Sequence, residues 1–298
     1  MVTAEPPRRA LLLRNPHSKQ GEAPIEAALA RFAARGVDVT ELPIGSSDEI
    51  CAQIKARAGA FDCVIVGGGD GTLNAAAPAI LESGAPLGVL PMGTANDLAR
   101  TLDIPTALDA AADIIADGKR RRIDVGMAND LPFFNVASLG LSAELAETLD
   151  GATKRRFGRL GYALAGLKVL RNAATFRAVI VTGAGAVRVK TYQIAVGNGR
   201  YYGGGVAVRA DARIDDALLD LYSLEPGSLW KVIALAPLFK RGHHTALREV
   251  RTARGRQLEI RTAEPMPVNL DGELATQTPV VLKVLPAAIE VFAPEADS

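Results

Sequence analysis

Val64-Ile65-Val66-Gly67-Gly68-Gly69-Asp70-Gly71-Thr72-Leu73-Asn74 reads as a strand running into a loop of four glycines, one carboxylate and one hydroxyl. The three β-branched residues suit an interior strand, and Gly67, Gly68, Gly69 and Gly71 allow positive φ and a close backbone approach to a bulky anion. Leu73 to Glu82 continues with a helical pattern. Successive loop amides and the positive end of a helix dipole thus meet at one point, which is a phosphate-binding arrangement. Asp70 is the discordant group: a carboxylate beside phosphates repels them unless a divalent cation or a protonated partner lies between, so it points to Mg2+. Two familiar phosphate loops fail on spacing. A dinucleotide-binding G-x-G-x-x-G has Thr72 or Asn74 where its third glycine belongs, and neither Lys55 nor Lys119 stands in a Walker A context.

Pro91-Met92-Gly93-Thr94-Ala95-Asn96-Asp97-Leu98-Ala99-Arg100 repeats the pattern, with an apolar strand, Leu87 to Leu90, entering a polar loop that opens a helix. Strand-to-helix loops about one βα unit apart emerge at the carboxyl ends of parallel strands and line one crevice. Helix capping is the plainer reading of Asn96 or Asp97 alone. It does not account for the recurrence.

Working outward, residues 10–14 read as a strand, and Ile25, Ala28, Leu29, Phe32 and Ala33 fall at helical spacing, with Gly36 as the stop. Residues 37–42 give the next strand, Ser46-x-x-Glu49 is a capping box opening a helix to Ala58, and 61–66 is the strand before the glycine loop. The alternation continues through 73–83, 86–90, 95–102 and 107–117, which calls for an α/β N-terminal domain with a mostly parallel sheet covered on both faces. Past residue 120 strand-like runs follow one another: 122–128, 132–138, 175–182, 187–196, 217–224, 246–252, 256–262, 266–270, 279–285 and 288–293. Helices interrupt them only around 141–149, 157–171 and 228–240. An antiparallel, β-rich C-terminal domain is expected, with the site in the crevice between the two. The division is 1–128 and 129–285, with 286–298 as a terminal segment.

Composition sets bounds. The 298 residues exceed the ~100–200 of a single-core domain, so two domains are expected. No apolar run approaches the ~18–20 residues of a membrane-spanning helix; Ile233 to Phe239 is bounded by Lys231 and Lys240. Met1 to Arg9 lacks the apolar region of a signal peptide, so a cytoplasmic location is expected. Cys51 and Cys63 show no metal-ligand spacing and read as packing residues. A formal net charge of +1 argues against nucleic acid as a partner. Basic clusters at Lys154-Arg155-Arg156 with Arg159, Lys168 and Arg171, and at Lys240-Arg241 with His243 and His244, adjoin amphipathic stretches. Residues 154–171 and 229–244 are therefore the expected peripheral contacts with the anionic inner face of a membrane; a solvated charged face is the plainer alternative. Oligomeric state leaves no mark in the sequence.

Taken together, the two loops resemble those of the diacylglycerol kinase catalytic-domain lipid kinases, the group of bacterial diacylglycerol kinase, YegS-like and sphingosine kinases. The core Gly68 to Thr72 is shared with NAD kinases and 6-phosphofructokinases, whereas Gly93 to Arg100 takes the lipid-kinase form. Asn15-Pro16-x-Ser18, Arg122-Ile123-Asp124-Val125-Gly126, Gly197-Asn198-Gly199 with Gly203-Gly204-Gly205, Asp215-Asp216-Ala217-Leu218-Leu219-Asp220 and Asp271-Gly272-Glu273 follow in the family's order.

The resemblance implies an NAD kinase or phosphofructokinase-like first domain, a β-sandwich second domain, and return of the last strands to the first domain. It implies transfer of the γ-phosphate of ATP, with Mg2+, to a primary hydroxyl of a diacylglycerol-like or related lipid. ATP would touch Asn15, Pro16, His17, Ser18, Lys19, Thr40, Gly67, Gly68, Gly69, Asp70, Gly71, Thr72, Leu73 and Thr94; Lys19 replaces a glycine common in the family. Asp70, Asp97 and Asp124 become the nucleotide-metal acids, set around one mouth by this topology. For Asp124 alone, a strand-end residue pairing with Arg121 or Arg122 is the plainer reading. Glu273 is assigned as general base and Asp271 as its close partner, although Asp271-Gly272 is also an ordinary hairpin-turn signal. Asp216 with the carbonyls of Leu219 and Leu221 would hold a structural magnesium. There Ala217 stands where glycine is usual and Arg209-Ala210-Asp211 where a proline precedes the acid; plain turn acids are the alternative. The competing functions are an NAD kinase, disfavoured by the form of the second loop, and a catalytically silent lipid- or nucleotide-binding regulator. Acids at 70, 97, 124, 271 and 273 disfavour the latter.

Overall fold

The structure is a computed structural model that describes residues 2–3, 5–16, 25–141, 174–225 and 250–295. Among these the first half contains β1 (Val2–Thr3), β2 (Arg9–Arg14), α1 (Glu26–Ala34), β3 (Asp38–Pro43), α2 (Ser47–Arg57), β4 (Cys63–Gly68), α3 (Asp70–Ser83), β5 (Leu87–Pro91), α4 (Asp97–Thr101) and α5 (Leu108–Ala116). Strands β3, β2, β4 and β5 are parallel neighbours in that order. Leu11, Leu12 and Leu13 of β2 and Val64, Ile65 and Val66 of β4 are fully buried, because helices cover a parallel sheet on both faces and leave its strands no polar side. Helix α1 packs on α5 and α2 on α3. The capping box forms with one difference: Ser46 Oγ accepts from Glu49 N–H, while Glu49 reaches back to Gly45 N–H at 2.7 Å.

The second half runs through β6 (Lys119–Ala128), β7 (Leu131–Phe133), β8 (Val136–Gly140), β9 (Phe176–Thr182), β10 (Gly185–Thr191), β11 (Gln193–Gly197), β12 (Tyr201–Tyr202) and β13 (Val206–Ala207). It ends with β14 (Leu219–Leu224), β15 (Val250–Gly255), β16 (Gln257–Thr262), β17 (Pro267–Leu270), β18 (Glu273–Gln277) and β19 (Val280–Phe292). One antiparallel sheet has the order β15-β14-β11-β8-β17-β18. It packs on β7, β9, β16 and the first half of β19 through Phe133, Leu139, Ile180, Val196, Leu258 and Val280. This is the expected antiparallel unit.

Several strand boundaries differ from the sequence reading. The run 187–196 is two strands that change sheets at Tyr192, where Thr191 Oγ1 donates to the carbonyls of Gln193 and Leu224 at 2.8 Å. The run 132–138 divides at Phe134 and Asn135. Conversely, 279–285 and 288–293 form one strand, β19, whose register slips between Leu285 and Ile289. Its last residues pair with β5, Val291 opposite Leu87, and Val291 and Phe292 join the core of the first half. The helices expected around 157–171 and 228–240, and residues 142–149 of the one around 141–149, lie outside the described residues. Among the described residues no helix is long and apolar enough to cross a membrane.

Candidate active site

The chain leaves β2 for β3 on one side and later passes from β4 to β5 on the other. The carboxyl ends of β2 and β4 therefore form a topological switch point, where open α/β sheets bind ligands. Asn15 follows β2 there and the glycine loop follows β4, joined by Asn15 N–H on Gly67 O at 3.0 Å. Helix α3 starts on Asp70 itself, and no side chain caps it. Its first amides are left for a ligand.

Close approach, not positive φ, is what requires these glycines. None of Gly67, Gly68, Gly69 or Gly71 has positive φ, which corrects the conformational part of the sequence reading. A Cβ on Gly68 would stand 2.6 Å from Thr72 Oγ1, one on Gly69 3.1 Å from Gly93 Cα, and one on Gly71 3.1 Å from Glu273 Oε1. The second loop hangs on the first, Met92 N–H donating to Gly68 O at 2.9 Å. Asn96, in the left-handed region at φ 51°, accepts from Gly93 N–H at 2.8 Å and donates to Gly93 O at 3.0 Å. Its side chain closes the loop on itself instead of capping α4. Thr94 is left exposed on the cleft.

Asn15, Gly69, Gly71, Thr72, Gly93, Thr94 and Glu273 line one cavity of about 340 Å³, together with Ile44, Gly45, Ser46, Ile50 and Ala75. Thr40 is not brought there. It lies exposed in the middle of edge strand β3, opposite Leu11; the residues just past the end of that strand, Ile44 to Ser46, take the position at the mouth. Pro16 follows Asn15 on the same loop, while His17, Ser18 and Lys19 lie outside the described residues.

Asp70 Oδ1 accepts from Leu98 N–H at 3.0 Å and from Asn135 Nδ2 at 3.4 Å. Asp97 is 4% exposed; its Oδ2 accepts from Gly204 N–H at 2.9 Å, and its Oδ1 is buried without a hydrogen-bond partner among the described residues. Burial, reinforced by the Asp70 charge and opposed by the Gly204 amide, pushes the Asp97 carboxyl up to about 6. A buried carboxylate oxygen without a hydrogen bond, with Arg100 Nε 4.0 Å away and a second carboxylate beside it, fits a divalent cation.

Asp124 does not join this pair. It is buried, accepting from Ala217 N–H on Oδ2 at 2.6 Å and from Ala287 N–H on Oδ1 at 2.7 Å, and its charge is felt at Asp216. The expected ring of three acids is corrected to a pair with a brace behind it, and Arg122 pairs with Glu290 instead, at 2.9 Å. Among the described residues no three His, Cys, Asp or Glu side chains converge on one metal position. Of the residues in the structural-magnesium assignment, Asp216 is paired with a guanidinium, and Leu219 and Leu221 both lie on β14. Arg254 stands 2.8 Å from Asp216 Oδ2, and Leu221 lies within β14, flanked by β11 and β15.

Asp271 and Glu273 have different surroundings. Asp271 and Gly272 both have positive φ, as a two-residue hairpin between β17 and β18 requires. Asp271 Oδ2 accepts from Phe134 N–H at 2.7 Å and Asn74 Nδ2 at 2.8 Å, and its Oδ1 from Asn135 and Val136 N–H at 2.9 Å each. Burial outweighs these bonds and raises the Asp271 carboxyl to about 6. Glu273 is exposed at the cleft, with no hydrogen bond or ion pair among the described residues. Asn74 and Asn135 carry supporting roles that the sequence reading does not assign. Helical spacing is the one usable signal, since Asn74 follows Asp70 by four residues on α3 and so shares its face.

Glycine amides at a helix N-terminus, the Asp70–Asp97 acid pair and an exposed carboxylate across one cleft are the parts of a phosphotransferase site. Comparison with known proteins gives the particular family. Residues 9–128 match the diacylglycerol kinase catalytic domain, and residues 135–293 match the YegS C-terminal NAD kinase beta sandwich-like domain. The diacylglycerol kinase of Mycobacterium tuberculosis is 34% identical over 295 residues, covering 95% of this chain and 94% of that protein. The diacylglycerol kinase of Bacillus subtilis is 29% identical over 278 residues, covering 91% and 92%. A crystal structure of a diacylglycerol kinase from Bacillus anthracis superposes with a TM-score of 0.81 at 25% identity, covering 97% and 98% of the two chains. The chain belongs to the diacylglycerol kinase family and is a lipid kinase.

Proposed function

We propose that the enzyme transfers the γ-phosphate of ATP to a primary hydroxyl of a diacylglycerol-like lipid, or of a sphingoid or phosphatidylglycerol-like one, at the cytoplasmic face of a membrane. Glu273 carries this reading: its carboxylate is unpartnered, faces Gly71 across the cleft and shares one cavity with Thr94 and the glycine loop. The triphosphate lies along the amides of Gly69 to Thr72 at the start of α3, with the Thr94 hydroxyl on its other side. Ile44, Ile50 and Ala75 offer the base an apolar wall. Asp70 and Asp97 would hold Mg2+, which when bound neutralises phosphate charge. Glu273 takes the proton of the lipid hydroxyl as its oxygen bonds to the γ-phosphorus. The bond from that phosphorus to the β–γ bridging oxygen breaks, and ADP leaves.

Asp271 is a strut in this mechanism: four donors hold it, and it fixes the hairpin that carries Glu273 against α3 and the segment 134–136. Residues 154–171 and 229–244, outside the described residues, supply the membrane contact, which sedimentation with anionic liposomes tests. Transfer of labelled γ-phosphate from ATP to a lipid panel tests the reaction itself. A phosphorylated lipid is expected; NADP formation from NAD in place of any lipid product would overturn the reading.

A further inference from the structure

The loop from Arg209 to Asp220 carries four carboxylates, Asp211, Asp215, Asp216 and Asp220, and each has a guanidinium against it. Arg209 Nη2 donates to Asp211 at 3.2 Å and Arg213 Nε to Asp215 at 3.0 Å. Arg254, directly across the β14–β15 ladder from Asp220, spans the remaining two: its Nη2 stands 2.8 Å from Asp216 Oδ2 and its Nε 2.8 Å from Asp220 Oδ1. We propose that Arg254 is the resident cation of this loop, taking the place where the family resemblance puts a structural metal ion, so that the C-terminal sheet is stable without divalent ions.

Three observations support this beyond the ion pairs. Both oxygens of Asp216 are already engaged, Oδ1 accepting from Leu218 N–H at 3.0 Å and Oδ2 from Arg254 Nη2 at 2.8 Å. Asp220 is 3% exposed, and a carboxylate so deeply buried needs a matching charge; Arg254 provides one, hydrogen-bonding Oδ2 at 3.3 Å and meeting Oδ1 as an ion pair without hydrogen-bond geometry, with Arg209 Nη1 3.8 Å away as a second. Leu221 pairs with Val196 on one side and Ala253 on the other, which sets its peptide within a two-sided ladder. A divalent ion coordinated by Asp216 would lie almost in contact with a permanently charged guanidinium, and the two repel. Unlike a bound ion, an arginine needs no external concentration to keep its place.

Stability and metal content are the readouts, so the outcome is independent of the proposed kinase reaction. The nucleotide-free protein is melted in EDTA and in millimolar Mg2+, beside an Asp97→Asn variant that silences the acid pair in the cleft. Wild type is expected to retain no stoichiometric metal after EDTA dialysis, and Asp97→Asn to melt within about 2 °C in the two buffers. Arg254→Met, leaving two acids unpaired, is expected to melt at least about 5 °C lower in EDTA and to recover partly with Mg2+ or Ca2+. Arg254→Lys keeps the charge and remains insensitive to EDTA, which preserves the test if Arg254→Met does not fold. A metal ion retained in Asp97→Asn, or a fall of about 5 °C on adding EDTA to that variant, overturns the proposal.

Discussion

Gly69 and Gly93 touch backbone to backbone: a Cβ on Gly69 would stand 3.1 Å from Gly93 Cα, and one on Gly93 would overlap Gly69 and press to 2.8 Å from Asn96 Oδ1. Two loops separated by a helix and a strand are thus one surface. Gly93→Ala must push them apart. The expected cost is about 1–3 kcal/mol of stability, together with a several-fold higher KM for ATP. Urea denaturation and steady-state kinetics check both effects.

Asp97 links the acid pair to pH. Its folded-state value of about 6 lies above the ordinary 3.8, so between those values the folded chain holds a proton that the unfolded chain has released. Stability from this group is greatest below pH 3.8 and is lost as pH rises through about 6. Asp97→Asn should therefore stabilise the nucleotide-free protein at pH 7 by about 1–3 kcal/mol while abolishing turnover. Urea melts at pH 5 and pH 7 are expected to differ less in the variant than in wild type.

Catalysis has the opposite sign, because a cation needs the ionised pair. Activity is expected to rise with pH through about 6, and the acid limb to move to lower pH as Mg2+ is increased. A limb that ignores Mg2+ would separate Asp97 from the metal.

Glu273 and Asp271 separate base from strut. Glu273→Gln removes a group without partners, so stability should stay within about 0.5 kcal/mol while kcat falls roughly 10²–10⁴-fold. Asp271→Ala strands three backbone amides and the Asn74 side chain. It is expected to cost about 2–4 kcal/mol, visible as a lower melting temperature before any assay is run.

Asp124 braces two alanines held in the left-handed region, Ala217 at φ 58° and Ala287 at φ 49°. Side chains are disfavoured there, so Ala217→Gly is expected to stabilise the fold by roughly 0.5–1 kcal/mol even though it adds unfolded-state entropy. Asp124→Ala should destabilise it by about 2–3 kcal/mol. Thermal melts of the two variants check the signs.

The βαβ framework and both loops were legible because buried parallel strands read as apolar runs and because glycine before a helix has few other uses. Asp271-Gly272 was legible as a turn for the same kind of local reason. What side-chain types did not reveal were contacts made by backbone donors: the amides of Ala217 and Ala287 on Asp124, those of residues 134–136 on Asp271, and that of Gly204 on Asp97. Any residue except proline supplies such a donor. Thr40 came from the resemblance alone, while the reach of β3 to Pro43, which sets Ile44 to Ser46 at the mouth, depends on its pairing with β2. Glu273 lines the cleft, but the division of labour with Asp271 needed the hydrogen bonds.

A crystal structure with Mg2+ and a non-hydrolysable ATP analogue tests the central claim most directly. The β- and γ-phosphates should lie within hydrogen-bonding distance of the Gly69 to Thr72 amides and of Thr94, with the metal on Asp70 and Asp97 and Glu273 facing the terminal phosphate. Phosphates bound away from both glycine loops, or on the far side of the sheet from Glu273, would contradict it.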